Sequence, residues 1–220
     1  MPSIFDILGP VMIGPSSSHT AGAAKLGYIA RQLLGTEPVR AEITLYNSFA
    51  RTYKGHGTDR AIVGGILGLR PDDEMLRNSL EIAKERGLKY EFRLIMKAPK
   101  LHPNSARIKL FDSNGNKIEM VGSSLGGGRI EIVEIEGFKV SFSVMTHTIV
   151  IIADDIPGSI AHISGAIAEK NINIANMFVS REEKLANMII EVDQDVPEDV
   201  LNKIRSFSWV HYVRLVEPIF

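Results

Sequence analysis

The stretch "TIVIIADDIPGSIAHISGAIAEKN", residues 148–171, decides the fold of the C-terminal third of this chain. Its first residues are apolar and mostly β-branched, which predicts a buried strand. Pro157 and Gly158 then open a predicted helix. One face of that helix carries Ile160, Ile163, Ser164 and Ile167. The stretch therefore predicts a strand that leads directly into an amphipathic helix.

Two more strands, a second helix and a closing strand follow. The segments "INIANMFVS" (172–180) and "LANMIIEVD" (185–193) predict strands on either side of a polar turn. Pro197 precedes two acidic residues, a combination typical of a helix start. The segment "WVHYVRLVEP" (209–218) predicts the last strand. The order β-α-β-β-α-β in about 70 residues is the split βαβ unit of the ferredoxin-like kind.

The N-terminal part of the chain predicts a different, α+β domain. The predicted elements are a helix ending near Leu34, a strand over 39–50, helices over 58–69 and 71–87, and strands over 90–98, 106–112, 117–124 and 129–137. Helices grouped early and antiparallel strands grouped late favour α+β over a doubly wound sheet. We expect an N-terminal domain over residues 1–146 and a second domain over 147–220.

Composition excludes several classes of function. The 220 residues include 45% hydrophobic and 23% charged residues, as in an ordinary globular protein. A formal net charge of −1 gives no electrostatic basis for binding nucleic acid or an anionic membrane. The N-terminal stretch has no basic region before an apolar run, and a cytoplasmic location is expected. With no cysteine, the chain itself offers neither a disulfide, nor a cysteine nucleophile, nor a thiolate ligand for iron or zinc.

A first polar cluster lies at Ser16–Thr20, just before the first predicted helix. Serine and threonine there can cap the helix and leave hydroxyl and N–H groups directed at an anion. His19 falls in the first turn, where the helix dipole keeps its imidazole neutral. A plain cap would need only one serine. The cluster therefore predicts a carboxylate or phosphate cradle with a potential base beside it.

Further polar clusters interrupt the later part of this domain. In "KGHGTD" (54–59), His56 lies between two glycines in a loop, which is typical of a functional imidazole. The alternative is a plain surface turn that happens to contain a histidine. Thr58 or Asp59 is predicted to cap the next helix. In "HPNS" (102–105), Asn104 either holds a substrate group or closes its own turn. The glycines of "SSLGGGRI" allow close approach of an anion, but their flanks fit no phosphate-binding fingerprint.

The segment "DDIPGSIAHISGAIAEKNINIANM" (154–177) resembles the opening of ACT domains, small regulatory modules of amino-acid metabolism. The resemblance implies that the turn from Asp155 to Gly158 holds an amino acid at a subunit interface. The alternative is that Gly158 is simply a packing glycine. We also expect self-association of this module, because a four-stranded sheet presents unpaired edges and one incompletely covered face.

The segments "FDILGPVMIGPSSSHTAGA" (5–23) and "YNSFARTYKGHGTDRAIVGGILG" (46–68), followed by "HPNS" and "SSLGGG", resemble the beta subunits of bacterial iron–sulfur L-serine dehydratases. The resemblance implies conversion of L-serine to pyruvate and ammonia by a two-subunit enzyme. It also implies a [4Fe-4S] cluster on a separate, cysteine-containing alpha subunit, with no metal ligand in this chain. The N-terminal domain is also similar to the extra regulatory domain of some D-3-phosphoglycerate dehydrogenases.

The same resemblance implies roles for individual residues. His56 is the expected general base, oriented by Thr58, and His19 is the second essential imidazole, although the sequence leaves open which histidine takes the proton. The expected substrate-binding residues are Ser16, Ser17, Ser18, Thr20 and Asn104. A second hypothesis from another class is a non-catalytic ACT regulatory protein that senses an amino acid.

Overall fold

The computed structural model describes Gly14 and residues 16–219, and the chain divides into two compact units between Gly137 and Phe138. The helical segments of the first unit are a π-helical turn Ser17–Ala21 continuous with α1 (Gly22–Leu34), then α2 (Asn47–Thr52), α3 (Thr58–Ile66), a 3₁₀ turn Glu74–Asn78 and α4 (Ser79–Glu85). Helix α1 ends at Gly35, whose φ of 74° gives the left-handed cap expected of glycine.

The strands of the first unit are β1 (Pro38–Tyr46), β2 (Lys89–Ile95), β3 (Ser105–Asp112), β4 (Lys117–Gly126) and β5 (Arg129–Ile135). They lie side by side in the order β2-β1-β3-β4-β5. The β1–β2 pair is parallel, whereas the pairs β1–β3, β3–β4 and β4–β5 are antiparallel. The predicted α+β class is confirmed.

Helices α1 and α3 pack against each other without intervening side chains. A Cβ atom at Gly27 would lie 2.2 Å from the carbonyl oxygen of Ile62, and one at Gly65 would lie 2.0 Å from the carbonyl oxygen of Ala24. Only glycine permits this approach of two helix backbones. Near the C-terminal ends, the Arg31 guanidinium donates to the carbonyl of Ile66. The two helices therefore run in the same direction, and the segments that precede them lie together.

Two predicted elements of the first unit have different ends in the structure. The strand predicted over 39–50 stops at Tyr46, because Asn47 adopts a φ of 51° and the chain turns into α2. The Asn47 amide fixes this turn, since it accepts from the N–H of Ala98 at 2.7 Å and donates to the Ala98 carbonyl at 3.0 Å. The single helix predicted over 71–87 is instead a 3₁₀ turn followed by α4.

The second unit has the predicted β-α-β-β-α-β order after one additional strand. Its elements are β6 (Phe138–Phe142), β7 (His147–Asp154), α5 (Ser159–Ala168), β8 (Ile174–Glu182), β9 (Leu185–Val192), α6 (Glu198–Arg205) and β10 (Val210–Val216). The sheet order is β10-β7-β9-β8 with antiparallel neighbours, which is the ferredoxin-like arrangement.

Burial in the second unit corrects two expectations. Ile163 and Ile167 of α5 are buried as predicted, but Ile160 is 38% exposed and Ser164 is only half buried, because the first turn of the helix follows an exposed loop. Ala166 completes the buried face instead. The face of the central strands turned away from this core is also covered, since Val150 and Ile189 are buried. The expectation of an incompletely covered face is therefore wrong for β7 and β9.

Candidate functional site

The two predicted histidine segments meet at the N-terminal ends of α1 and α3, and each holds the backbone of the other. The Thr20 hydroxyl donates to the carbonyl of His56 at 3.2 Å. The Thr58 hydroxyl donates to the carbonyl of His19 at 3.0 Å. As a result the two imidazole rings lie edge to face, with centroids 4.8 Å apart.

Both ring nitrogens of His19 are engaged by hydroxyl groups. Its Nε2 lies 3.1 Å from the Ser48 Oγ, and its Nδ1 lies 3.1 Å from the Ser18 Oγ and 3.3 Å from the Ser16 Oγ. The Ser16 Oγ also accepts from the backbone N–H of His19 and so caps the helical turn, as predicted. The ring packs edge-on against Phe49 as well.

The His19 imidazole is held in its neutral form. Burial is the larger cause that lowers its pKa below the ordinary histidine value, and the neighbouring His56 lowers it further. Two cationic imidazoles at this separation would repel each other, which is the physical basis of the second cause. The predicted neutral state of His19 therefore has two physical causes in addition to the helix dipole.

His56 differs from His19 in having an open nitrogen. Its Nδ1 is buried and has no hydrogen-bond partner among the described residues. The ring borders a cavity of about 270 Å³, whose polar and charged lining includes Thr20, Lys54, Arg60 and Arg77. A cavity lined by three basic side chains and an imidazole suits a small anion such as a carboxylate.

The "HPNS" and "SSLGGG" segments join the same site. The N–H of Ser48 donates to the carbonyl of Pro103, and the N–H of Ser124 donates to the carbonyl of Asn104. Ser124 also lies against the start of α1, since a Cβ at Gly22 would be 2.0 Å from the Ser124 Oγ. The Asn104 Oδ1 and the Ser124 Oγ are buried without a partner in the described part of the chain.

Two of the predicted roles need correction. Thr58 is fully buried, and its hydroxyl bonds the His19 carbonyl, so the expected orientation of the His56 ring by Thr58 is not what the structure shows. Neither Thr58 nor Asp59 caps α3, because Gly57 occupies the cap position with a φ of 67° and no side chain bonds there. The Asp59 carboxylate accepts from the N–H of Arg60 instead.

The remaining expected substrate-binding residues lie at or beside the site. Ser17 is half buried within the capping turn, and Thr20 lines the cavity although its hydroxyl is bonded to His56. Asn104 belongs to a turn in which its N–H donates to the Nδ1 of His102 at 3.2 Å. Both readings of "HPNS" therefore have support, since the backbone of Asn104 closes a turn while its side-chain oxygen stays open.

Several site residues were not singled out from the sequence. Ser48, Arg60 and Arg77 come from segments read as plain strand or helix, and Lys54 belongs to the "KGHGTD" cluster but was given no role there. The sequence signal that could have identified Ser48 is "YNS" (46–48), in which a turn-forming Asn follows a strand and directly precedes the serine. No comparable local signal marks Arg77, which reaches the cavity only through the packing of the 3₁₀ turn.

The turn expected to bind an effector in the second unit is an ordered structure. The Asp155 carboxylate pairs with the Nε of Arg181 at 3.0 Å, and its N–H donates to the carbonyl of Lys184. Gly158 caps α5 with a φ of 85°, and its carbonyl lies 2.8 Å from the Nδ1 of His162. The carboxylate of Asp155 is thus already neutralised by a cation of the same unit.

The residues present do not fit an iron–sulfur cluster. The 220 residues contain no cysteine, and cluster ligation in proteins rests chiefly on thiolates. Within residues 16–219 and Gly14, no group of three or more His, Asp or Glu side chains is arranged to hold a metal ion. Among these same residues, no helix has the length and apolar character needed to cross a membrane.

Comparisons with known proteins match the two parts of the chain to two different families. Residues 3–134 match the family model "Serine dehydratase beta chain", and residues 147–208 match the ACT domain. The probable L-serine dehydratase beta chain of Bacillus subtilis is 46% identical over 204 residues, which cover 92% of each chain. The L-serine dehydratase beta chain of Peptoniphilus asaccharolyticus is 38% identical over 97% of this chain and 98% of its own length.

A more distant relative shows that the similarity extends to another enzyme. The D-3-phosphoglycerate dehydrogenase of Bacillus subtilis is 24% identical over 89% of this chain, which corresponds to 37% of that protein. The family model, by contrast, matches more than half of this chain, and two beta chains match nearly all of it. The chain therefore belongs to the family of serine dehydratase beta chains and carries an ACT domain at its C-terminal end.

Proposed function

We propose that this chain is the beta subunit of an L-serine ammonia-lyase that converts L-serine to pyruvate and ammonia. A separate alpha subunit with cysteines would hold the [4Fe-4S] cluster, since this chain has no thiolate. The observation that carries the proposal is the paired-histidine site, in which the buried Nδ1 of His56 has no partner among the described residues and the ring borders a cavity lined by basic residues.

The basic lining gives the site a preference for the substrate carboxylate. Arg60 and Arg77 are mostly exposed side chains at the cavity, and Lys54 lies beside them. A guanidinium binds a carboxylate through two parallel N–H bonds, which fixes the orientation of the amino acid as well as its position. The hydroxyls of Ser16, Ser17 and Ser18 and the side-chain oxygen of Asn104 complete the set of polar groups proposed to contact L-serine.

His56 is the stronger candidate for the base that removes the α-proton. Its Nδ1 has no partner among the described residues, whereas both nitrogens of His19 already contact hydroxyls. Loss of the α-proton and the β-hydroxyl leaves aminoacrylate, which takes up water to give pyruvate and ammonia. His19 would act through the hydroxyls that surround it, by holding them where the substrate binds.

The ACT domain would make the enzyme responsive to an amino acid. The proposed effector site is the exposed turn from Asp155 to Gly158, which precedes the start of α5, and N–H groups at a helix start favour a carboxylate. Self-association of the ACT domain would place two such turns at an interface. β8 and β10 are the outer strands of the four-stranded sheet in the described part of the chain, and outer strands are where a sheet can meet another chain, which supports this part of the proposal.

Anaerobic co-expression with a cysteine-containing alpha subunit tests the proposal. We expect the two chains to co-purify, to show iron–sulfur absorbance and to form pyruvate from L-serine. This chain alone should be colourless and inactive. Co-purification without pyruvate formation, together with L-serine binding to this chain alone, would favour the amino-acid sensor instead. Iron–sulfur absorbance from the pure chain would contradict the proposal that the alpha subunit holds the cluster.

A further inference from the structure

Ser48 is held in place by its backbone, which leaves its hydroxyl directed at His19. Its N–H donates to the Pro103 carbonyl at 2.9 Å, and its own carbonyl accepts from the Thr52 hydroxyl at 3.0 Å. The preceding residue, Asn47, is anchored to Ala98. The Ser48 Oγ lies 3.1 Å from the His19 Nε2, across 29 positions of sequence. These backbone contacts therefore hold the Ser48 hydroxyl beside the His19 imidazole.

The other side of the same ring has a different kind of partner. Ser16 and Ser18 contact the Nδ1, and both belong to the turn that carries His19 itself. These two hydroxyls therefore orient the ring within its own turn. The Ser48 hydroxyl is the contact that ties the Nε2 to a separate helix, α2.

We propose that Ser48 is the positioning residue of His19, which fixes the rotation of the imidazole through its Nε2. With the rotation fixed, the Nδ1 is held where it meets the hydroxyls of Ser16 and Ser18. The orientation of the serine hydroxyls thereby depends on a residue that need not touch the substrate. This role rests on the proposed function, in which those hydroxyls bind L-serine.

Ser48→Ala and the rescue variant Ser48→Thr test the role in two independent measurements. In the isolated chain, ¹⁵N-resolved NMR of the His19 ring should show one set of ring signals in the wild type and in Ser48→Thr. In Ser48→Ala the Nε2 signal and the titration midpoint should change, because the Nε2 loses its partner. In the assembled enzyme, we expect Ser48→Ala to lower kcat/KM about ten- to hundred-fold, the usual effect of losing a partner that orients a functional histidine. Ser48→Thr should recover most of the turnover.

The NMR measurement and the activity measurement can each contradict the proposal independently. Unchanged ring signals and an unchanged titration midpoint in folded Ser48→Ala would overturn the positioning role, whatever the activity. Equal loss of turnover in Ser48→Ala and Ser48→Thr, with unaltered ring signals, would show a packing role instead and also overturn it. Absence of serine turnover in the wild-type complex would contradict the proposed function, while the NMR result would still decide whether Ser48 controls the His19 ring.

Discussion

The hydroxyl of Thr58 donates a hydrogen bond to the backbone carbonyl of His19 at 3.0 Å, although the two residues are 39 positions apart. The reciprocal bond from Thr20 to the carbonyl of His56 completes a closed loop of four residues. Threonine side chains are thus used to position the backbone of both histidines, and the imidazole rings remain available for chemistry.

Removal of the Thr58 hydroxyl should loosen this loop. In Thr58→Val the shape is nearly kept, but the buried carbonyl of His19 loses its donor, so we expect a loss of about 1–3 kcal/mol in the free energy of unfolding. Turnover in the assembled enzyme should fall as well. Thr58→Ser, which keeps the hydroxyl, is the matched control. Urea unfolding measures the stability, and equal stability of Thr58→Val and wild type would contradict the prediction.

Removal of the open imidazole should abolish most turnover. We expect His56→Ala to lower kcat about 10²–10⁴-fold, the usual contribution of a positioned base, with an unaltered circular dichroism spectrum. His102→Ala is the control at another imidazole, because the His102 Nδ1 accepts from the N–H of Asn104 in a turn. His102→Ala should lower kcat much less than His56→Ala does. Near-normal turnover in His56→Ala would exclude His56 as the base.

Truncation of His19 should affect both stability and turnover. Its ring packs against Phe49 and contacts His56, so His19→Ala removes packing as well as hydrogen bonds. We expect a lower midpoint of thermal unfolding and loss of most turnover in His19→Ala, with a smaller thermal effect in His19→Gln. Turnover that survives in either variant would show that the enclosed imidazole is not essential.

Acidification should destabilise the isolated chain through His19. Its folded-state pKa is lowered, chiefly by burial, from the ordinary value of 6.5. Between that lowered pKa and 6.5 the unfolded chain binds more protons than the folded chain, so the free energy of unfolding decreases as the pH falls through this window. The decrease should be smaller in His19→Gln. Urea unfolding from pH 7.5 to 5.5 measures the difference, and parallel curves for the two proteins would contradict the prediction.

A test of the ACT turn must separate ligand binding from backbone strain. Gly158 has a φ of 85°, so Gly158→Val should destabilise the chain by roughly 1–2 kcal/mol whether or not a ligand binds there. Gly158→Asn should tolerate the same backbone and serve as the control for strain. If the turn binds an amino acid, both variants should alter the dependence of turnover on added amino acids. An unaltered response in a folded variant would indicate that the turn is structural.

The second unit was predictable from the sequence because its signals are local. A β-branched run, a Pro-Gly helix start and strands of regular spacing gave the correct order of elements. Ile160 was wrongly placed in the core because helical spacing alone does not say where the sheet ends. Burial of Val150 and Ile189 also could not be read from spacing, since it depends on what covers the second face of the sheet.

Some residues of the candidate site were predictable from the sequence, but the contacts between them were not. The serine cluster, His19 and His56 stand out because their segments contain more polar groups than a cap or a turn requires. The predicted capping role of Thr58 was wrong; it was predicted because a threonine beside a helix start is typical of a cap. Its actual partner, His19, is far away in sequence and is brought near only by the packing of two helices.

The glycine contacts between α1 and α3 have a consequence for how this site can be controlled. With backbone against backbone at Gly27 and Gly65, the two helices have no side-chain layer over which to slide. The two segments that carry the paired imidazoles lead directly into this contact. A side chain at either glycine would force the helix backbones apart, so this contact is the place in the chain through which the spacing of the imidazoles can be altered.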